Sequence, residues 1–283
     1  MTLIWARHCL DFSAKTQVMG ILNITPDSFS DGGSFFDRTK AVAQALRMVE
    51  EGADIIDIGG ESTRPGAEAV PLEEELRRTA PVIEALAGSV RVPLSIDTYK
   101  AEVARRALDA GASMVNDISG LRFDPGMAEV VARYGVPVIV MHIRGTPRDM
   151  QRNPVYEALI PEIVDYLRGS IAIGVKAMIP EDRIIVDPGI GFGKTVEHNL
   201  QIIKRLAEFG VLGRPVAIGV SRKAFLGKIL DGAPPTDRVE GTAAAVAVSV
   251  LNGADIVRVH DVKEMAKVVK VADAIKRGSV TPA

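Results

Sequence analysis

Cysteine is nearly absent: Cys9 stands alone in 283 residues. A lone thiol excludes an internal disulfide framework and a cysteine-based zinc site, and it fits a reducing compartment. Set in a terminal segment away from any electropositive cluster, it reads as inert. Long apolar runs are missing too. The longest, 243–251, contains Ser249 and falls well short of the roughly 20 residues a membrane helix needs. Near the start only residues 3–6 are apolar before Arg7, His8 and Asp11, too short for the core of a signal peptide. A cytoplasmic protein with no membrane span is expected.

Neither sign of charge dominates. The 34 Lys+Arg against 36 Asp+Glu leave a formal −2, with a pI near 6.1. That balance excludes a broad basic face for nucleic acid or acidic lipid, so any anionic ligand must be held by a few placed charges. No Pro/Ser-rich linker divides the chain. Its length allows two domains of about 150 residues or one α/β barrel of about 250 or more.

What is present is alternation. Short, largely apolar runs at 18–22, 55–58, 94–96, 114–115, 136–141, 184–186, 216–220 and 256–259 read as strands covered on both faces. Between them, Val42, Leu46 and Val49, then Leu72, Leu76, Val82, Ile83 and Leu86, then Leu200, Ile203 and Leu206 recur at helix-face spacing. Gly52, Gly111 and Gly253 each precede a strand, as glycine does where a helix ends in the left-handed region. Pro93, Pro137 and Pro215 mark three more junctions. Eight such units predict one (β/α)8 TIM barrel over 18–283, with an open doubly wound sheet as the alternative. Residues 1–17 form an N-terminal extension, a short hairpin or strand across the barrel bottom. The segment 155–179 is too long for one standard helix and is read as holding an extra turn. Asp261 and Glu264 suggest a capping box on the last helix, with Val262, Met265, Val268, Val269 and Ala272 as its apolar stripe.

In such a barrel the site lies where strands end. Strand one runs into 23–33 and strand two into 59–66, both long, small and polar. The others end in Asp97 to Lys100, Asn116-Asp117, His142, Asp187-Pro188-Gly189, Ser221-Arg222-Lys223, and Arg258 with His260. Eight polar strand ends at one rim call for a dense internal network or a polar, partly anionic ligand, because unpaired buried polar groups are costly. Asp97, Asn116 and Asp187 face the middle of the mouth and suit the N–H-rich edge of a flat heterocycle such as an aminopyrimidinone. Lys223 can reach a ring carbonyl or nitrogen. Arg64, Arg258 and His260, with Asn23 among them, form a cationic sector suited to phosphate or diphosphate. The neutral oxygen of Asn23 is of a kind Mg2+ uses beside substrate phosphate, although this sector holds no carboxylate. Acids and bases are thus expected to be segregated in the mouth.

Two motif matches fail. Gly193-Lys194-Thr195 ends like a P-loop, but the motif's first glycine would fall on Pro188. Residues 189–193 lack the final spacing of the dinucleotide fingerprint. Their glycines let backbone approach a flat ligand, with Phe192 as a wall or as plain core packing.

Together these strings resemble the dihydropteroate synthases, pterin-binding TIM barrels of folate biosynthesis. The matching segments are Asn23 to Gly33, Glu61 to Ala67, Asp97 to Lys100, Asn116-Asp117, Met141-His142, Asp187 to Lys194, Ser221 to Lys223 and Arg258 to Asp261. The resemblance implies a transferase that joins 6-hydroxymethyl-7,8-dihydropterin diphosphate to 4-aminobenzoate, releasing diphosphate. It implies that Asp97, Asn116, Asp187 and Lys223 hold the pterin. Asn23, Thr63, Arg64, Arg258 and His260 would hold the diphosphate, with Mg2+ on Asn23. Phe29, Pro65, Phe192, Ser221 and Lys223 would line the aminobenzoate pocket, where sulfonamides compete. Asp31, Arg258 and His260 would act in catalysis, and the chain would form a homodimer. A pterin-dependent methyltransferase needs no diphosphate clamp, and a non-catalytic pterin- or phosphate-binding paralogue would lose loop residues first. Arg258, His260 and the first loop speak against the former, and the presence of Asn23, Asp31, Thr63 and Arg64 against the latter.

Overall fold

The structure, a computed structural model, describes residues 1–24 and 34–279, with backbone only at 34–37. Phe29 and Asp31 lie outside the described residues.

The strands are β1 (Thr2–Trp5), β2 (His8–Asp11), β3 (Gln17–Asn23), β4 (Ile55–Gly59), β5 (Leu94–Asp97), β6 (Met114–Asp117), β7 (Val138–Met141), β8 (Ile184–Asp187), β9 (Ala217–Ile218) and β10 (Ile256–Val259). The helices are α1 (Ser34–Glu50), α2 (Leu72–Ala87), α3 (Ala101–Asp109), α4 (Met127–Tyr134), α5 (Leu159–Lys176), α6 (Val196–Lys204), α7 (Ala224–Ile229), α8 (Val239–Leu251) and α9 (Val262–Arg277). β1 and β2 form an antiparallel hairpin. The other eight strands pair in parallel in the order β8-β7-β6-β5-β4-β3-β10-β9. A bridge between Val186 and Val216 brings the two edges together, giving a nearly closed TIM barrel. β9 is shorter than the expected 216–220 because the chain turns into the mouth at Gly219 to Lys223, with Arg222 at φ +57.

Strand side chains alternate with period two, and that period organises the interior. Met19, Ile55, Met114, Ile139, Ile185, Ala217 and Ile256 point inward at the barrel bottom, where Leu3, Trp5 and Leu10 of the hairpin join them in one apolar cluster. Trp5 Nε1 donates to Ser113 O at 2.7 Å, which satisfies the indole inside that plug. Outward residues such as Val18, Ile56, Val115 and Val257 enter the larger core between sheet and helices. Two positions beyond the plug, the inward residue is Asp57 on β4, Asn116 on β6, Asp187 on β8 and Arg258 on β10. These four strands therefore carry apolar packing below and chemistry above.

Gly52, Gly111 and Gly253 have φ +105, +111 and +105, the backbone that ends a helix before the next strand. The helix faces differ in detail from the sequence expectation. α1 buries Ala41, Ala45 and Met48, the last against Gly20 of β3, and leaves Leu46 36% exposed. In α6, Ile202 and Ile203 are buried while Leu200 is 44% exposed, and Leu72 of α2 is exposed too. The expected extra turn in 155–179 is absent, because Leu159–Lys176 is one continuous helix. Asp261 does not cap α9: its carboxylate is held by Arg222 Nε at 3.0 Å. A reciprocal capping box instead opens α6, between Thr195 and His198.

Candidate active site

The strand ends of β5, β6 and β8 bring Asp97, Asn116 and Asp187 to one cavity, where they meet Thr63, Lys223 and Arg258. All three acceptor residues are buried. Its apolar wall is Phe192 with Ile118 and Met141, part of a small cluster separate from the main core. Phe192 is therefore both packed and facing the cavity.

Asp187 is shaped by the turn behind it. Its Oδ1 accepts from Gly189 N at 2.7 Å. Gly189 has φ +72, and a Cβ there would lie 1.9 Å from His142 O, so only glycine fits. Burial pushes the Asp187 carboxyl up to about 6, against the pull of the Gly189 N–H and the Lys223 charge. Burial also raises Asp97, against Arg258. Lys223 is pushed down to about 8 by burial and by the neighbouring Arg258 charge, and its Nζ sits 4.3 Å from the Phe192 ring centroid. The left-handed turn at Arg222 sends its guanidinium to Asp261, between Ser221 and the cavity-lining Lys223.

Acids and bases are not segregated. Arg258 Nη2 donates to Asp97 Oδ2 at 2.7 Å and Nε to Asp57 Oδ2 at 2.6 Å, so the guanidinium sits between two carboxylates. Asn116 Nδ2 also donates to Asp57 Oδ2, at 3.0 Å. Asp57 is fully buried and was not among the sequence candidates. The available signal was a charged residue within the apolar Ile55-Ile56-Asp57-Ile58 run, at an inward position of a closed barrel.

His260 is not a cation either. Burial, with Arg258 and Arg222 close by, pushes it down to about 3. Ser221 Oγ accepts from the His260 backbone N–H at 3.1 Å and lies 3.0 Å from Nδ1. The hydroxyl and Nδ1 are thus paired, with donor and acceptor set by the tautomer of the neutral ring. Ser221, expected in the aminobenzoate pocket, makes this pairing at the rim.

Three rim residues turn away. Asp117 accepts from Ser119 N and Leu121 N in its own turn, and Arg222 binds Asp261. His142 is buried against Tyr166, its Nδ1 2.8 Å from Lys194 Nζ. Lys194 also donates to Phe192 O at 2.9 Å, so the P-loop-like lysine supports the 189–193 turn from beneath. Arg64 and Pro65 are exposed on the loop after β4, apart from the cavity lining. That loop is anchored by Lys100, whose Nζ donates to Glu61 at 2.5 Å, Glu75 at 2.6 Å and Val70 O at 2.6 Å.

Asn23 ends β3. Its Oδ1 lies beside Gly59 of β4 and near Asp97 of β5. Among the described residues no group of three or more His, Cys, Asp or Glu side chains can hold a metal. One neutral oxygen suits Mg2+ only when phosphate oxygens complete its shell.

The pterin binding enzyme family model matches residues 19–260. A parallel barrel with acceptors on strands five, six and eight and a guanidinium on strand ten defines that class, and the chain belongs to it. The dihydropteroate synthase of Synechocystis sp. is 52% identical over 267 residues, covering 94% of this chain and 92% of that protein. That of Bacillus subtilis is 50% identical over 272 residues, covering 96% and 93%. The Yersinia pestis dihydropteroate synthase, solved with a sulfonamide drug complex, superposes with a TM-score of 0.92 at 44% identity, covering 98% of this chain and 100% of that one. Within the pterin-binding family the chain belongs with the dihydropteroate synthases and is accordingly a transferase.

Proposed function

We propose that the chain condenses 6-hydroxymethyl-7,8-dihydropterin diphosphate with 4-aminobenzoate, by a route in which the C–O bond breaks before the arylamine adds. One observation carries the reading: three buried acceptor residues, Asp97, Asn116 and Asp187, converge with Lys223 on a cavity that Arg258, bonded to Asp97, also lines. Solved Xanthomonas albilineans relatives hold 4-aminobenzoic acid and 7,8-dihydropteroate, which supports the same substrate classes here.

Asp97, Asn116 and Asp187 take the N–H edge of the pterin, and Lys223 donates to its carbonyl or ring nitrogen. Asn23, Thr63, Arg64, Arg258 and His260 take the diphosphate. When bound, Mg2+ offsets the charge of the diphosphate, with Asn23 as its protein ligand. The electron pair of the C–O bond leaves with the diphosphate, and the positive charge spreads from the exocyclic methylene into the dihydropterin ring. The arylamine lone pair then forms the C–N bond and its proton is released. No strong base is required, because an arylamine is unprotonated at neutral pH. Asp31 is assigned the carboxylate that offsets the cation, and Phe29, Pro65, Phe192, Ser221 and Lys223 the aminobenzoate pocket, where a sulfonamide would compete.

A coupled assay of diphosphate release with the pterin diphosphate, Mg2+ and 4-aminobenzoate tests the activity; release that does not depend on the arylamine overturns it. Positional isotope exchange in the diphosphate oxygens without 4-aminobenzoate is expected for the dissociative route. Absence of exchange favours direct displacement.

Asp187→Asn is expected to weaken binding of 6-hydroxymethylpterin by about 1–3 kcal/mol, the scale for removing one charged hydrogen-bond partner. Protons compete with the ring for this carboxylate. In the parent protein pterin affinity therefore declines as pH falls through about 6, and the Asn variant loses that component. Calorimetric titration between pH 5 and 8 checks both effects, and unchanged affinity contradicts the role.

The protein is assigned a homodimer. After Glu240 in its first turn, the outer face of α8 is apolar, with Val248 and Leu251 each 44% exposed, whereas a solvent-facing helix carries a polar outer stripe. Val248→Glu is expected to shift the mass in solution from dimer to monomer, read by light scattering. A cytoplasmic location fits the free, exposed Cys9. Among the described residues no helix is long and apolar enough to cross a membrane.

A further inference from the structure

Asp57 belongs to neither the ring-binding nor the diphosphate-binding set, yet one of its oxygens joins them. Oδ2 accepts from Arg258 Nε at 2.6 Å and from Asn116 Nδ2 at 3.0 Å. Its other oxygen, Oδ1, is buried with no hydrogen-bond partner among the described residues. A carboxylate in the middle of an apolar strand, 0% exposed, is an expensive way to fill space. An aliphatic side chain would continue the strand and pack in the barrel, so the charge calls for another explanation.

The geometry supplies one. Nε is the guanidinium nitrogen nearest the side-chain stem, so holding it fixes the guanidinium at its root while Nη2 remains on Asp97 or turns to a ligand. Asn116 spends one amide hydrogen on Asp57, which turns its NH2 downward and fixes which way the amide faces. An amide free to flip would exchange acceptor for donor at the ring edge.

We propose that Asp57 is a positioning residue for the transfer reaction, holding the Arg258 guanidinium and the Asn116 amide in one register so that diphosphate and ring are gripped together. The inference rests on the reaction proposed above.

Asp57→Asn keeps the size of the side chain and an acceptor oxygen but removes the charge. The expected result is a folded variant whose KM for the pterin diphosphate rises by about 10- to 100-fold, the effect of losing a charge-assisted pair, with KM for 4-aminobenzoate unchanged. Binding of 6-hydroxymethylpterin, measured by calorimetry, weakens by a similar factor. In an Arg258→Met background the added Asp57→Asn change is expected to weaken pterin binding by less than it does in the parent, because the Arg258 contact is already gone and only the Asn116 contact remains to lose. Equal changes in both KM values, or independent multiplying losses in the double variant, overturn the proposal and leave Asp57 a general structural residue.

A measurement on the unaltered protein covers the case of a variant that does not fold. With 15N-arginine, the Arg258 Nε–H signal, assigned by its loss in Arg258→Lys, is expected to stay protected from water exchange when 6-hydroxymethylpterin is added. Loss of protection overturns the anchor. Parent enzyme that releases no arylamine-dependent diphosphate fails the proposed reaction itself, whereas parent turnover with an unaltered Asp57→Asn variant fails this inference alone.

Discussion

Arg258→Met is expected to lower kcat/KM for the pterin diphosphate by about 10²–10³-fold, the range for removing one preorganised charge from a developing anion. The guanidinium is bonded to Asp57 and Asp97 at its inner edge while 21% of the side chain stays exposed. Stability is affected as well. Removing the cation leaves two buried carboxylates facing each other, a loss of about 3–5 kcal/mol for breaking a buried pair from one side. The sign with pH follows from the same geometry. With Arg258 gone, Asp97 rises further above its unfolded value and binds a proton more tightly in the folded state than in the unfolded one. The variant's deficit is therefore smallest in acid and grows as pH rises through neutrality. Steady-state kinetics and urea unfolding at pH 5.5 and 8 check the two effects. A deficit that shrinks with rising pH contradicts the pairing.

Trp5→Ala is expected to destabilise the fold by about 3–5 kcal/mol, as deletion of a large buried aromatic does. Trp5 is 3% exposed and lies in the hairpin that seals the barrel bottom, among the inward side chains Met19, Ile55 and Met114. Without the indole, that layer faces a cavity and Ser113 O loses its donor. The plug lies at the strand starts, whereas the site lies at the strand ends. The folded variant therefore keeps its KM for both substrates while its unfolding midpoint in urea falls. A variant with unchanged stability contradicts the view that the hairpin seals the barrel.

Much of the barrel is legible residue by residue. Gly52, Gly111 and Gly253 mark helix-to-strand junctions because the left-handed backbone they adopt is a local property. The apolar runs mark strands for the same reason. Helix faces are less legible: Leu46 and Leu200 have the right spacing, but the barrel accepts Ala41, Ala45 and Ile202 at closest approach. Asp261 looks like a helix cap until Arg222, 39 residues away, takes its carboxylate.

The site divides along the same line. That Asp97, Asn116, Asp187, Lys223 and Arg258 meet follows from their places at strand ends of a parallel barrel, which brings every such end to one rim. Composition and motif spacing therefore determined the fold class, the polar mouth and the kind of ligand it receives. Which partner each group takes was decided only by tertiary structure. Asp57 and Arg258 lie 201 residues apart, and their bond exists because β10 and β4 flank β3 in the ring. His142 and Asp117 stand beside site residues in sequence, yet they turn to Lys194 and to their own loop. His260 is neutral because it is buried near two guanidinium groups. Hydrogen-bond direction, burial and charge pairing are set by distances between strands that are remote in sequence. The pattern along the chain encodes which residues face inward, but not which of them touch.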